Sequence, residues 1–154
     1  MKDKTRKGFT LVELLIVIVV IGILSAMMML SSNEAVTTAR ANNVASNLRN
    51  LKTAALAYYT DHITETEENS FNLADKKDAI FGYLSGKTEI PDKGDYSFVA
   101  NGSKWYVKYT FKTSMTGELK IREKLEGRRK ALGLLDESYN PFTKDKNNVL
   151  LRVR

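Results

Sequence analysis

The sequence predicts an α+β protein: a long N-terminal α-helix, membrane-spanning in its first half and amphipathic in its second, packed on a small antiparallel β-sheet. Three observations predict it. Residues 14–33 carry no charged side chain. Val44, Leu48, Leu51, Ala55 and Tyr58 recur at spacings of four, three, four and three, the interval of one helix face. Asn101-Gly102-Ser103 separates two runs of β-forming residues, the second alternating large apolar with polar side chains.

The charge-free run has the length of a bilayer, since a helix needs roughly 17 to 25 residues to cross the hydrocarbon core. Lys2, Lys4, Arg6 and Lys7 against Asp3 give the first eight residues a net charge of +3, half of the +6 on the whole chain. Under the positive-inside tendency that end stays in the cytoplasm and the remainder is exported. A secretory signal has an apolar region of about 7 to 15 residues closed by a small-x-small cleavage site. This run is longer and ends in Met27, Met28, Met29 and Leu30, so it reads as an anchor.

Glu13 stands inside the apolar stretch, where insertion scales assign about 2.5 to 3.5 kcal/mol to a charge at mid-membrane. In the opening turn of a helix near the interface, its charge would complement the positive end of the helix dipole. The surrounding order says more than that. A basic leader is followed by Gly8, an aromatic, Thr10, two aliphatics, Glu13 and an unbroken apolar run. Gly8-Phe9-Thr10-Leu11-Val12-Glu13-Leu14 resembles the processing site of type IV prepilins and of the related pseudopilins of type II secretion. The resemblance covers about the first 30 residues closely, and the rest of the chain only in layout.

The resemblance implies a pilin-like fold and a structural subunit, not an enzyme. A prepilin peptidase that is also a methyltransferase would cut between Gly8 and Phe9 and methylate the new Phe9 amine. Glu13 would then face the Phe9 amine of a neighbouring subunit, an opposite-charge contact that sets register because a misplaced subunit leaves a charge unpaired. Further implied partners are copies of this chain or other pilin-like subunits, joined through Phe9–Leu30, and an assembly platform with its ATPase motor. The subunit would be stored in the inner membrane and end in a cell-surface type IV pilus or in the periplasmic pseudopilus of a type II secretion system. No cofactor is implied. Many relatives carry a proline late in the apolar stretch; this chain has none before Pro91, which leaves Gly22 as the weak point of the helix. The resulting organisation is a cleaved leader at 1–8, a membrane and assembly segment at 9–33, an amphipathic helical segment at 34–60 and an exported globular domain at 61–154.

Neither glycine nor proline interrupts residues 23–81, so the helix is expected to run from Phe9 to about Thr60, about 78 Å at 1.5 Å per residue. The stripe from Val44 to Tyr58 is its core face, with Asn42, Asn43, Asn47, Arg49, Asn50 and Lys52 on the remainder. Met27–Met29 read as flexible packing surface between subunits and not as a metal cluster. Residues 61–70 are polar and acidic and read as an exposed loop, with His62 a solvated histidine. A short helix is expected at Leu73–Leu84 with Ile80, Phe81 and Leu84 inward. In the hairpin, Trp105, Val107, Tyr109 and Phe111 form the buried row, and Tyr106, Lys108, Thr110 and Lys112 the wetter one. Trp105 is expected to pack on a helix. Residues 118–132 read as helix and 149–153 as a last strand.

Composition narrows the functions. Without cysteine there is no disulfide framework, thiolate metal site or cysteine nucleophile. With one histidine, no Gly-rich phosphate loop and no nucleophile elbow, no catalytic constellation can be picked out. Pro91-Asp92-Lys93-Gly94-Asp95 offers two carboxylates where calcium wants about six to eight oxygens, which leaves metal binding open. Arg128, Arg129, Lys130, Arg152 and Arg154 could attract nucleic acid but read as a solvated helix face and a charged tail. Nucleic acid is therefore not an expected partner.

Overall fold

The computed structural model describes residues 8–63, 72–84, 90, 95–112 and 117–154, with the backbone alone at 30 and 31. The leader up to Lys7, most of the loop expected at 61–70 and the turn from Pro91 to Gly94 lie outside the described residues. Helix α1 runs from Leu11 to Asp61 and is unbroken at Gly22. The chain divides into two compact units, Met1–Val36 and Thr37–Arg154.

The second unit begins at Thr37 because α1 acquires a buried face there. The predicted stripe is buried, Leu48, Leu51 and Ala55 entirely, and Ala41, Ala45 and Ala54 widen it. A leucine side chain so buried contributes on the order of 1.5–3 kcal/mol. The face of α1 from Ala41 to Tyr58 thus supplies core to the same unit as the residues that follow the helix.

Four strands make one antiparallel sheet: β1 (Tyr96–Asn101), β2 (Lys104–Thr110), β3 (Leu134–Leu135) and β4 (Asn148–Arg152), in the order β1-β2-β4-β3. Asn101 pairs with Lys104, so the reversal uses two residues, and Gly102 supplies its left-handed conformation at φ +58. Trp105 is buried, with Tyr59 of α1 edge-on to it at 5.3 Å, as a packed aromatic should be. Ahead of the sheet, a 3-10 turn at Leu73–Lys76 leads into α2 (Lys77–Gly82). Ile80 is buried there, and Phe81 and Leu84 lie half-buried against the core.

Four local expectations change. Tyr106 belongs to the row expected to be wet, yet it is buried, as is Leu150, two strands' worth of the sheet's other face. Their cover is the segment 136–147. The buried Asp136 carboxylate accepts the backbone N–H groups of Ser138 (2.8 Å) and Asn140 (2.9 Å), Leu135 bridges to Pro141, and Tyr139, at φ +62, lays its ring 4.8 Å from that of Tyr106. Tyr109, expected in the buried row, is only half-buried, its ring resting on those of Tyr96 and Phe111. The helix expected over 118–132 is two, α3 (Glu118–Gly127) and α4 (Arg129–Leu132), parted after Gly127, a residue with high conformational freedom. His62 is half-buried and not a freely solvated loop residue. It closes α1, its ring stacked 4.3 Å from Tyr58 and its Nδ1 3.0 Å from the Tyr58 carbonyl oxygen. Beside it, the Asp61 carboxylate accepts the Tyr83 hydroxyl, a bond that raises the phenol above its ordinary pKa.

The chain's last residue is tied into this unit. The Arg154 guanidinium lies 4.0 Å from the Tyr59 ring and 5.4 Å from Trp105, and its Nε donates to the Ser103 carbonyl at 3.0 Å. Replacing Arg154 with alanine is expected to cost about 1 kcal/mol, the scale of a partly exposed cation–π contact with one hydrogen bond. Chemical denaturation of the full chain in detergent, followed by Trp105 fluorescence, measures it.

Candidate functional site

The site is the first turn of α1 and the apolar surface above it. Thr10 and Glu13 cap the helix reciprocally: the Glu13 N–H donates to Thr10 Oγ1 at 3.2 Å, and the Thr10 N–H donates to Glu13 Oε2 at 2.8 Å. The Thr10 hydroxyl also donates to Glu13 Oε2 at 2.8 Å. Two of the orphan N–H groups at the helix start are satisfied in this way, and the carboxylate is held at the positive end of the helix dipole. Both bonds to the carboxylate fall on Oε2. Thr10 was not singled out by sequence reasoning, although the pattern Thr10-Leu11-Val12-Glu13, a hydroxyl residue three before a glutamate, is the signal that finds it.

Gly8 and Phe9 precede the helix in non-helical backbone, and both are exposed. A side chain at Gly8 would meet nothing within 4 Å among the described residues, so no contact with them requires a glycine there. Above Glu13, the large apolar side chains from Leu14 to Met29 are each 48% to 75% exposed. A continuous apolar surface of this kind does not stay in water; it marks a lipid-facing or protein-facing segment. Among the described residues α1 is the helix long and apolar enough to cross a membrane. Ser32 fits such a setting because its hydroxyl donates to the Met28 carbonyl at 3.0 Å.

Other candidate sites dissolve on inspection of the geometry. Arg128 donates to Asn42, Arg129 pairs with Glu126 at 3.0 Å, and Arg152 donates to the Arg154 carbonyl at 3.0 Å. Asn42 and Tyr59, which mark the two groups along α1, are 17 residues apart, about 25 Å of helix. The five cations therefore form no single patch. Asp95, the described carboxylate of the 91–95 turn, pairs with Lys112 at 3.0 Å. Among the described residues no three histidine, aspartate or glutamate side chains converge as a metal site would require.

Residues 3–29 match the family model of the prokaryotic N-terminal methylation motif, which is the signature of type IV pilins and pseudopilins. No curated protein and no solved structure matches the chain. The motif, the long apolar helix and the four-stranded antiparallel sheet together make a pilin-like α+β layout. The matched motif, which spans 27 of the 154 residues, is the one carried by type IV pilin-like and pseudopilin proteins, and it supports a likeness to that class. Motif and helix also fit a membrane-anchored, single-pass protein.

Proposed function

We propose that this chain is the precursor of a structural subunit of a type IV pilus or pilus-like filament. The observation that carries the reading is the conjunction, at one helix start, of the Gly8-Phe9 junction, the capped Glu13 carboxylate and the uncovered apolar surface that follows. Residues 1–8 are the leader, held in the cytoplasm by its cations. Peptidase cleavage after Gly8 frees the Phe9 amine, which the same enzyme methylates. Gly8 serves the peptidase and not the fold, since none of the described residues occupies the space a side chain would take. The exported domain lies across the membrane, and the platform and its ATPase motor lift the subunit into the filament.

Glu13 accepts the methylated Phe9 amine of a neighbouring subunit. The capping bonds from Thr10 use Oε2, which leaves Oε1 for the incoming ammonium without loss of the cap. A charge-assisted pair in apolar surroundings offsets the cost of placing the carboxylate there. Lateral contact between apolar surfaces supplies most of the remaining stabilisation.

Processing has a direct test. Gly8→Val is expected to block cleavage, so that a mass measurement on membrane extracts finds the leader still attached, while the parent chain is lighter by residues 1–8 and heavier by one methyl group. A parent chain that keeps Met1 in the membrane overturns the proposal. Electron microscopy of sheared material then separates the outcomes: surface filaments that contain this chain identify a pilus, and secretion that depends on it without surface filaments identifies a pseudopilus of type II secretion.

A further inference from the structure

The exported unit opens at Thr37, four residues after Asn33 ends the charge-free run, which is about 6 Å of helix. Thr37 is buried, and its neighbour is Gly117: a Cβ on that glycine would lie 3.9 Å from Thr37 Oγ1. Gly117, at φ +92, is the residue from which α3 starts. The residue from which α3 starts therefore lies beside the residue of this unit that is nearest in sequence to the membrane segment.

On that turn, Glu118 and Arg122 point inward as a buried ion pair at 2.8 Å. Ile121 is buried beside the pair, whereas Leu119 and Lys120 face outward. Leu119 is 68% exposed, the most exposed large apolar side chain described beyond Val36, and Lys120 beside it is exposed as well. Arg40, also exposed, follows Thr37 by about one turn of α1.

We propose that Leu119, flanked by Lys120, seats the exported unit on the headgroup layer of the membrane in which the subunit is stored. The inference rests on the membrane-anchored reading above. A leucine inserted at the level of the glycerol groups, with a cation at the phosphates, is the chemistry of an interfacial contact with anionic lipid. One leucine is too small for a protein partner, since a stable protein interface buries on the order of 1,000 Å² or more. A lipid seat needs no such area, because the neighbouring helix already holds the unit at the surface. Extraction of the subunit into a filament would release this contact along with the helix.

The chain has no cysteine, so a single one reports its own position. The full precursor carrying Leu119→Cys, labelled with a polarity-sensitive dye, is placed in vesicles of phosphatidylethanolamine and phosphatidylglycerol. Asp78→Cys, exposed on α2, is the reference: α2 leads into Tyr83, which packs 5.7 Å from Tyr58, 21 residues beyond Thr37. The expected result is blue-shifted emission at 119 with quenching by a headgroup-level quencher lipid, neither of which appears at 78. Lys120→Glu should weaken the quenching. Solvent-like emission at 119 in vesicle-bound precursor overturns the seat and leaves the membrane reading intact. A blue shift that arises only when filaments form assigns Leu119 to a subunit contact and equally overturns it. Precursor that does not float with the vesicles defeats the membrane reading itself, and the seat with it.

Discussion

Glu13→Leu and Glu13→Ala precursors are expected to enter the membrane and lose their leader, with filament yield lower by about tenfold to a hundredfold. Insertion is not impaired, because removing the carboxylate relieves about 2.5–3.5 kcal/mol of the cost of a charge in the apolar layer. Cleavage should be spared because the proposed junction, Gly8-Phe9, lies ahead of the helix. Assembly suffers because each subunit loses a hydrogen bond to a charged group, about 1.5–3 kcal/mol, which is the stated range in equilibrium terms. The same substitutions remove the acceptor of the Thr10 N–H and so part of the helix cap, worth about 1 kcal/mol. Thr10→Val, which deletes the hydroxyl and keeps the carboxylate, separates cap from pairing and should assemble far better than either Glu13 variant. Immunoblots of sheared and cell-bound fractions measure all three. Wild-type yields from Glu13→Leu would remove the carboxylate from the assembly mechanism.

Arg122→Leu is expected to destabilise the exported unit by about 3–5 kcal/mol, because it strands the Glu118 carboxylate in the interior. The two side chains are 7% and 8% exposed and joined at 2.8 Å, and the Arg122 guanidinium also lies 5.0 Å from the Phe111 ring. Among the described residues Arg122 Nε is buried without a hydrogen-bond partner. That makes complete replacement of the pair mild. The double variant Glu118→Leu/Arg122→Leu, which removes both charges, should recover most of the loss. Thermal unfolding of the full chain in detergent checks this: a fall of roughly 10–20 °C for the single variant and a much smaller one for the double. A single variant within a few degrees of the parent would show that Glu118 finds water or another donor.

Much of this layout was legible in the sequence because it follows from strictly local periodicity. The spacing of Val44, Leu48, Leu51, Ala55 and Tyr58 placed the buried face of α1 correctly, since a helix of 3.6 residues per turn permits no other face. The Asn-Gly pair placed the hairpin, with Gly102 in the left-handed conformation the turn requires. The Thr10–Glu13 cap was equally local and was available to the same reading, had the glutamate been read against the residue three before it.

The misjudged features are those set by residues distant in sequence. Tyr106 alternates as an outward residue should, and nothing in β2 announces that Tyr139, 33 positions later, will cover it. Strand β3 has two residues, too few for any period, and exists because β4 offers it an edge. His62 follows the end of a helix in a polar stretch, and only the return of the chain at Tyr83 makes the place half-buried.

By itself the sequence determined the long apolar run, the N-terminal methylation motif, the carboxylate within it and the buried helix face of the second unit. These depend on composition, order and one helical period, quantities complete within a few turns of chain. The tertiary structure alone decided what covers the sheet's second face, which cations are engaged and how Glu118 and Arg122 are turned inward to leave Leu119 exposed. Burial and pairing of that kind are properties of surfaces brought together by folding, and no local pattern encodes them.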